Sequence, residues 1–222
     1  MLNAVIFDVD GTLVDTVDLH TQAWQEAFQA YGYDLPYDQI RHQIGKGSDQ
    51  LFPVFISQEE IERVGKPINQ RRLEIYKKDM LPKVRPFPKV RELFERIKAD
   101  GKKVLLASSS EQEILETYKQ LLQIEDLIDN ATSTDDAAQS KPEPDIFQAA
   151  LEKLDGIKAE EVIVVGDTPY DAEAANKTNV PTIGVLCGGF PEAELREAGC
   201  IAVFRDPADL LAHYEQSPLA KS

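Results

Sequence analysis

Two aspartates, Asp8 and Asp10, stand two residues apart at the end of the apolar run Val5-Ile6-Phe7, with Gly11 directly behind them. Like charges at that spacing repel, and neither is cheap to take out of water. A strand that ends this way calls for something in the folded protein to offset the charge, most simply a cation. Two further apolar runs end in polar groups: VLLA leads into Ser108 and Ser109, and VIVV into Gly166 and Asp167. Lys141 stands by itself in the loop SKPEP, just ahead of a helical pattern. If these segments converge, carboxylates, hydroxyls and one ammonium meet in one crevice.

The elements that would position them alternate along most of the chain. After the first strand, Val17, His20, Trp24, Ala27, Phe28 and Tyr31 repeat at three-to-four spacing, which predicts an amphipathic helix ending near Gly32. Helical patterns follow at 37–44, 48–56 and 58–79, broken by Gly45-Lys46-Gly47, and no strand is predicted before the proline-rich LPKVRPFP at 81–88. Beyond it the order is a helix closed by Gly101, a strand at 103–108, a helix at 111–122 and a weaker strand near 127–132. A helix opened by prolines at 142–154 comes next, then a strand at 161–167, a helix at 169–178 and a strand at 181–186. A short helix, a strand at 201–204 and a final helix complete the chain. This alternation predicts an α/β fold, a Rossmann-like parallel-sheet core with helices on both faces. The helical block interrupts it, so 1–14 and 83–222 are expected to form the α/β catalytic core and 15–82 an inserted all-helical cap domain. Ligands of open α/β sheets bind at the C-terminal ends of the strands, where Asp8, Ser108 and Asp167 fall.

Asp8-Val9-Asp10-Gly11-Thr12, Ser108, Lys141 and Gly166-Asp167-Thr168-Pro169-Tyr170-Asp171 occur in the order of the four motifs of the haloacid dehalogenase superfamily. The chain resembles, over its whole length, members with a small helical cap between the first and second motifs, in the phosphoglycolate phosphatase and β-phosphoglucomutase branch. The resemblance implies that Asp8 is a nucleophile forming an aspartyl-phosphate, which splits phosphoryl transfer into two displacements. It implies that Asp10 protonates the leaving oxygen and then, as its conjugate base, activates water, which suits neighbouring carboxylates with separated pKa values. Asp167 is expected to hold a metal with Asp8 and the backbone carbonyl of Asp10; all-oxygen ligation without His or Cys favours Mg2+. Lys141 would serve the phosphoryl oxygens and Asp8 as a point charge. Ser108 and the Ser109 backbone N–H would donate to phosphate, and Gly11 would let the backbone turn against the ligand. Asp171 is expected to orient Lys141 or a metal-bound water.

Each segment has a plainer reading. D-x-D-G after a strand is also an Asx-type turn, and Ser108–Ser110 could only cap a helix. Lys141 alone would read as a surface lysine, Asp167 as an N-cap and Asp171 as a solvated helix residue; four motifs in order weigh against that set. In the cap, IGKGSDQL (44–51) is either a substrate loop, with Lys46, Gly47, Ser48 and Gln50 toward the crevice, or an ordinary helix connection. Trp24 and nearby aromatics read as cap core, and His20, near the hinge, as a structural hydrogen-bonding residue.

The expected activity is a magnesium-dependent phosphatase for a small phosphorylated metabolite, of the phosphoglycolate or sugar phosphate class. The rival is a β-phosphoglucomutase-like phosphomutase, against which stand Asp49, where such enzymes usually carry a basic residue, and Gly166-Asp167-Thr168 in place of G-x-E-D-S. A non-catalytic regulatory binding protein on the same scaffold is disfavoured because every motif residue is intact, and a dehalogenase would not need Asp10. The net charge of −15 argues against nucleic acid. It is uneven: residues 15–85 hold 10 Lys/Arg and 11 Asp/Glu, the remainder 14 and 28, so an anionic ligand meets its friendlier field on the cap side. No apolar run is long enough to cross a membrane. Without a signal-like N-terminus, and with Cys187 and Cys200 as reduced thiols, a cytoplasmic protein is expected, as a monomer or weak dimer.

Overall fold

Residues 1–220 are described by the structure, a computed structural model. Six strands, β1 (Ala4–Phe7), β4 (Lys103–Ala107), β5 (Asn130–Thr132), β6 (Val162–Gly166), β7 (Thr182–Val185) and β8 (Cys200–Phe204), form one sheet. Its order is β5-β4-β1-β6-β7-β8 and every pairing is parallel. The order reverses direction at β1, which places the ends of β1, β4 and β6 side by side at the switch point where such sheets bind ligands.

Helices α1 (Val17–Ala30), α2 (Tyr37–Arg41), α3 (Ser48–Phe55), α4 (Gln58–Glu60) and α5 (Lys66–Ile75) lie between the first strand and the rest of the core. Wider π-helical turns at Ile61–Gly65 and Tyr76–Met80 continue α4 and α5. The later helices are α6 (Val90–Ala99), α7 (Gln112–Leu122), α8 (Asp145–Glu152), α9 (Pro169–Asn176), α10 (Glu192–Glu197) and α11 (Pro207–Ala212). Alternate residues of β1 face opposite layers, as its two-residue period requires. Val5 and Phe7 join Leu93, Phe94 and Ile97 of α6, Tyr118 of α7 and Leu210 of α11. Ala4 and Ile6 join Ile146, Phe147 and Ala150 of α8 and Ala174 and Ala175 of α9. The sheet is therefore covered on both faces, which is why β1 and β6 are apolar throughout rather than alternating.

Four boundaries differ from expectation. A two-stranded antiparallel ribbon, β2 (Val14–Asp15) with β3 (Arg85–Pro86), joins the two crossings between the sheet and the helical block; a two-residue strand has no periodicity to read. The helix expected from 142 starts at Asp145. Pro142 and Pro144 push the residues before them away from helical geometry, leaving Lys141 on a loop. Helix α1 stops at Ala30, so Tyr31 is 41% exposed and outside its buried stripe. The strand expected near 127–132 is confined to Asn130–Thr132. Among the described residues, no helix is long and apolar enough to cross a membrane, and Cys187 and Cys200 are free thiols.

Candidate active site

The first motif leaves the sheet through a tight turn. Asp8 N–H still bonds the Val165 carbonyl at 2.9 Å, after which the N–H groups of Thr12, Leu13 and Val14 all turn back to the Val9 carbonyl. Gly11 takes φ +83°, and a Cβ there would lie 2.4 Å from Asp167 Oδ2. Handedness and crowding together demand glycine at this position.

Beneath that turn lies a buried charge cluster. Lys141 Nζ donates to Asp8 Oδ1 at 2.5 Å and lies 2.7 Å from Asp171 Oδ1, with only 1% of its side chain exposed. Asp171 Oδ2 accepts from the Thr168 N–H and hydroxyl at 3.1 and 2.7 Å, a reciprocal cap at the start of α9. Both oxygens of Asp171 are thereby engaged, one by Lys141 and one by its own helix end. Thr12 Oγ1 lies 3.0 Å from Asp8 Oδ2 and 2.9 Å from Asp167 Oδ1, so one hydroxyl proton serves two carboxylates. Asp167 Oδ2 is buried without any partner. Oxygens of Asp8, Asp167 and Asp171 lie within 4.8 Å of one another. Three carboxylates against one ammonium leave two formal negative charges in a dry site, and one oxygen is orphaned. A hard divalent cation fits that deficit and that donor set.

Asp10 belongs to a different set of contacts. Its Oδ1 accepts from Thr16 Oγ1 and meets His20 Nε2, each at 2.9 Å, and its Oδ2 accepts from Ser110 Oγ at 2.8 Å. His20 is stacked on Tyr76 with ring centroids 4.0 Å apart, and the Tyr76 hydroxyl meets that of Tyr118 from α7. Any metal contact of Asp10 would therefore be through its backbone carbonyl, because its carboxylate is held outside the acidic cluster.

The charges separate the two aspartates, in an instructive order. Burial pushes Asp8 up to about 7, opposed by Lys141 and aided by repulsion from Asp171 and Asp10. Burial, with Asp8 and Asp171 nearby, also holds Asp167 well above the usual carboxylate range. For Asp10 burial acts upward as well, but the His20 charge and hydrogen bonds from His20, Ser110 and Thr16 bring it down to about 2. Burial alone would discharge Lys141, yet Asp171 and Asp8 hold it above its ordinary value. A nucleophile needs Asp8 ionised, so the acidic cluster lacks positive charge for that role until a cation joins it.

Both aspartates open into one cavity of about 210 Å³, walled by Ser109 and Ser110 on the sheet side and by Gly45, Lys46, Gly47 and Ser48 on the cap side. Ser108 lies behind this wall, fully buried; its Oγ accepts the Ser110 N–H at 3.0 Å, and its proton has no acceptor among the described residues. The cap loop rests directly on the core: a Cβ on Gly45 would strike Thr168, and one on Gly47 would lie 1.9 Å from Ser140 Oγ. Lys46 Nζ bonds Gln43 Oε1 at 2.7 Å and sits 4.5 Å from the centre of the Tyr170 ring. Gln50 does not line the cavity; it turns instead to Asp49, whose carboxylate accepts the Ser140 N–H at 3.0 Å.

A family described as Haloacid dehalogenase-like hydrolase matches residues 5–185. The chain belongs to this family. Among haloacid dehalogenase-like proteins it is 31% identical to a Thermotoga maritima protein named "Phosphorylated carbohydrates phosphatase", over 95% of this chain and 97% of that one. It is 27% identical to the phosphoglycolate phosphatase of Rhodospirillum rubrum, covering 95% and 90% of the two chains. A solved hydrolase from Pseudomonas syringae superposes with a TM-score of 0.86 at 31% identity, over 96% of this chain and 98% of that one.

Sequence reasoning singled out all four motif segments, and they meet. It missed Thr12 and Thr16 as carboxylate partners, although Thr12 lies inside the first motif. Ser110 read as part of a helix-capping segment and His20 as a hydrogen-bonding residue; the structure gives Asp10 as the partner of both. Trp24 packs on Phe28 and Phe52 as expected of core, but it also lines the cavity, beneath Arg72. Arg72 had no signal, because an arginine in the polar helix KPINQRRLEI reads as solvated.

Proposed function

We propose that this haloacid dehalogenase-like protein is a magnesium-dependent phosphatase. It hydrolyses a small phosphorylated metabolite, of the phosphoglycolate or sugar phosphate class, through an aspartyl-phosphate on Asp8. The observation that carries this reading is the division of labour between two aspartates two residues apart. Asp8 is gripped by Lys141 in the acidic cluster, while Asp10 is held separately by Thr16, His20 and Ser110 at the cavity wall. The phosphatase names of the relatives support the reaction class.

In this scheme a carboxylate oxygen of Asp8 forms a bond to phosphorus as the ester oxygen leaves, and Asp10 gives that oxygen its proton. Asp10, now a base, takes a proton from water; that water attacks phosphorus and releases inorganic phosphate with the Asp8 carboxylate restored. The strong hold on ionised Asp10 suits the second step; the first needs the negative charge of the incoming phosphoryl group beside Asp10 to raise its proton affinity. Lys141 lowers the repulsion between Asp8 and the phosphoryl oxygens, and Asp171 keeps the ammonium in place. The unclaimed Ser108 proton and the Ser109 N–H would donate to phosphoryl oxygens. Asp8, Asp167 and the Asp10 carbonyl would hold Mg2+, which when bound supplies charge neutralisation for nucleophile and phosphoryl group. Residues 15–82 serve as the cap that excludes water, and 1–14 with 83–222 as the catalytic core. Asp49, committed to Ser140, adds no cation for a second substrate phosphate and so favours a hydrolase over a mutase.

The test is a panel of phosphomonoesters with Mg2+, including β-glucose 1-phosphate primed with glucose 1,6-bisphosphate. Release of inorganic phosphate, stopped by EDTA and restored by Mg2+, is expected. Rapid isomerisation with little release would make the protein a mutase.

A further inference from the structure

Tyr76 and Tyr118 are a polar pair in a dry part of the molecule. Tyr76 belongs to the π-helical turn that continues α5 and Tyr118 to α7; both are fully buried, and their hydroxyls are bonded to each other. Phenylalanine at both positions would fill the same space without burying a hydroxyl, and a dry hydroxyl is costly unless its proton finds an acceptor. Two hydroxyls carry two protons, and their mutual bond uses one of them. The acceptor beside them is Asp10. Burial first, and the Asp10 charge next, hold both phenols above their ordinary values, and for Tyr118 a hydrogen bond to Asp10 acts in the same direction. Both therefore stay protonated near that carboxylate. The Tyr76 ring in turn lies flat on His20, with centroids 4.0 Å apart and planes 1° from parallel, and His20 Nε2 meets Asp10 Oδ1 at 2.9 Å. Asp10 Oδ1 is thus shared by Thr16 and His20, whereas Oδ2 is bonded to Ser110, which lines the cavity. Of the two oxygens, Oδ2 is the one with room to carry a proton toward a bound ester.

An acid held loosely turns its proton away from the ester oxygen, and a misplacement of about 1 Å at a reacting group costs on the order of 100-fold in rate. We infer that Tyr76 and Tyr118 are positioning residues for Asp10: their linked hydroxyls fix the His20 ring from the helical block and the carboxylate from the core, so that Oδ2 faces the leaving oxygen. The inference rests on the phosphatase reading above and adds two residues to it. Neither tyrosine lines the cavity, so neither takes part in the chemical step or in holding the substrate. Because the pair acts through the proton donor alone, its loss is selective. An ester whose alcohol needs a proton to leave suffers; one whose alcohol departs as a stable anion does not.

The experiment compares kcat/KM with Mg2+ for an alkyl ester, 2-phosphoglycolate or glucose 6-phosphate, whichever turns over faster, and for the aryl ester p-nitrophenyl phosphate. The proteins are the wild type, Tyr118→Phe, the double variant Tyr76→Phe/Tyr118→Phe, Asp10→Asn, and Asp10→Asn combined with both tyrosine changes. Because kcat/KM covers the steps up to release of the alcohol, the later service of Asp10 as a base does not enter it. The double variant should lose about 10- to 100-fold on the alkyl ester, part of what a positioned acid supplies, and stay within about threefold of the wild type on the aryl ester. Replacing both hydroxyls by apolar groups of the same shape leaves no partner unpaired, so this variant should keep a cooperative thermal transition; if it does not fold, Tyr118→Phe carries the same comparison. On Asp10→Asn, which has no acid proton to place, the two tyrosine changes should alter neither ester by more than about threefold. Equal losses on the two esters, as from a pair that only supports the fold, overturn the inference. So does no loss on either, or a full alkyl-ester loss in the Asp10→Asn background. Those outcomes leave the phosphatase reading intact; wild-type turnover of no phosphomonoester removes that reading, and the inference with it.

Discussion

Gly188, in the loop after β7, lies so close to Asp167 that a Cβ built on it would be 1.7 Å from Asp167 Oδ2, a carboxylate oxygen of the cluster with neither a hydrogen bond nor an ion pair. Gly11 crowds the same oxygen from another loop. Two glycines from distant parts of the chain thus define the space in front of a candidate metal ligand. Gly188 does not require the left-handed region, so its role is one of room. Gly188→Ala should raise the Mg2+ concentration for half-maximal activity by at least about tenfold, as loss of ligand geometry does, while circular dichroism stays that of the wild type. Unchanged Mg2+ dependence would show that Asp167 is not the ligand this space serves.

Asp8→Asn keeps the shape of the side chain and removes the nucleophile. Turnover should fall by about 10⁴-fold or more, as for other covalent catalysts, with a cooperative thermal transition retained. Near-wild-type phosphate release from this variant would remove Asp8 from its assigned role.

Stability without a cation should depend on pH through the same residue. Asp8 stands at about 7 in the fold against 3.8 ordinarily, so the folded protein holds a proton that the unfolded chain releases first. Stability in EDTA therefore falls as pH rises from about 4 to about 7. Comparing melting temperatures at pH 5 and pH 8 in EDTA, the wild type should lose more than Asp8→Asn, and Mg2+ at pH 8 should raise the wild type more than the variant. Identical pH responses in the two proteins would refute this.

Asp10 carries the opposite sign. Its folded value of about 2 lies below 3.8, so its contribution is present above about pH 4 and is lost as pH falls toward 2. Urea unfolding should show the wild type more stable than Asp10→Asn by on the order of 2 kcal/mol at pH 5, with the gap closing by pH 2.5. A gap that widens on acidification would mean that His20, Thr16 and Ser110 do not favour the ionised form.

Legibility followed the range of the interactions. The buried strands carrying Asp8, Ser108 and Asp167 were readable because both faces of a parallel sheet are covered, which leaves uninterrupted apolar runs that end abruptly at polar groups. The prolines around Lys141 marked a loop but misplaced the start of α8 by three residues, since a proline that opens a helix and one that delays it look alike. The β2–β3 ribbon was invisible, because its pairing of Val14 with Pro86 and Asp15 with Arg85 joins residues with no local pattern.

The sequence by itself determined the α/β order, the helical block within it, and which carboxylates, hydroxyls and ammonium would gather at the strand ends, since periodicity and the order of motifs are local properties of a chain. Only the tertiary structure decided how those groups share their charges. Asp171 goes to Lys141 and Asp10 to the His20–Thr16–Ser110 set, Asp167 keeps one oxygen free, and Arg72 lines the cavity. Electrostatic partnership depends on separations of a few ångströms between residues as many as 155 positions apart, as for Thr12 and Asp167, and no spacing along the chain encodes those separations.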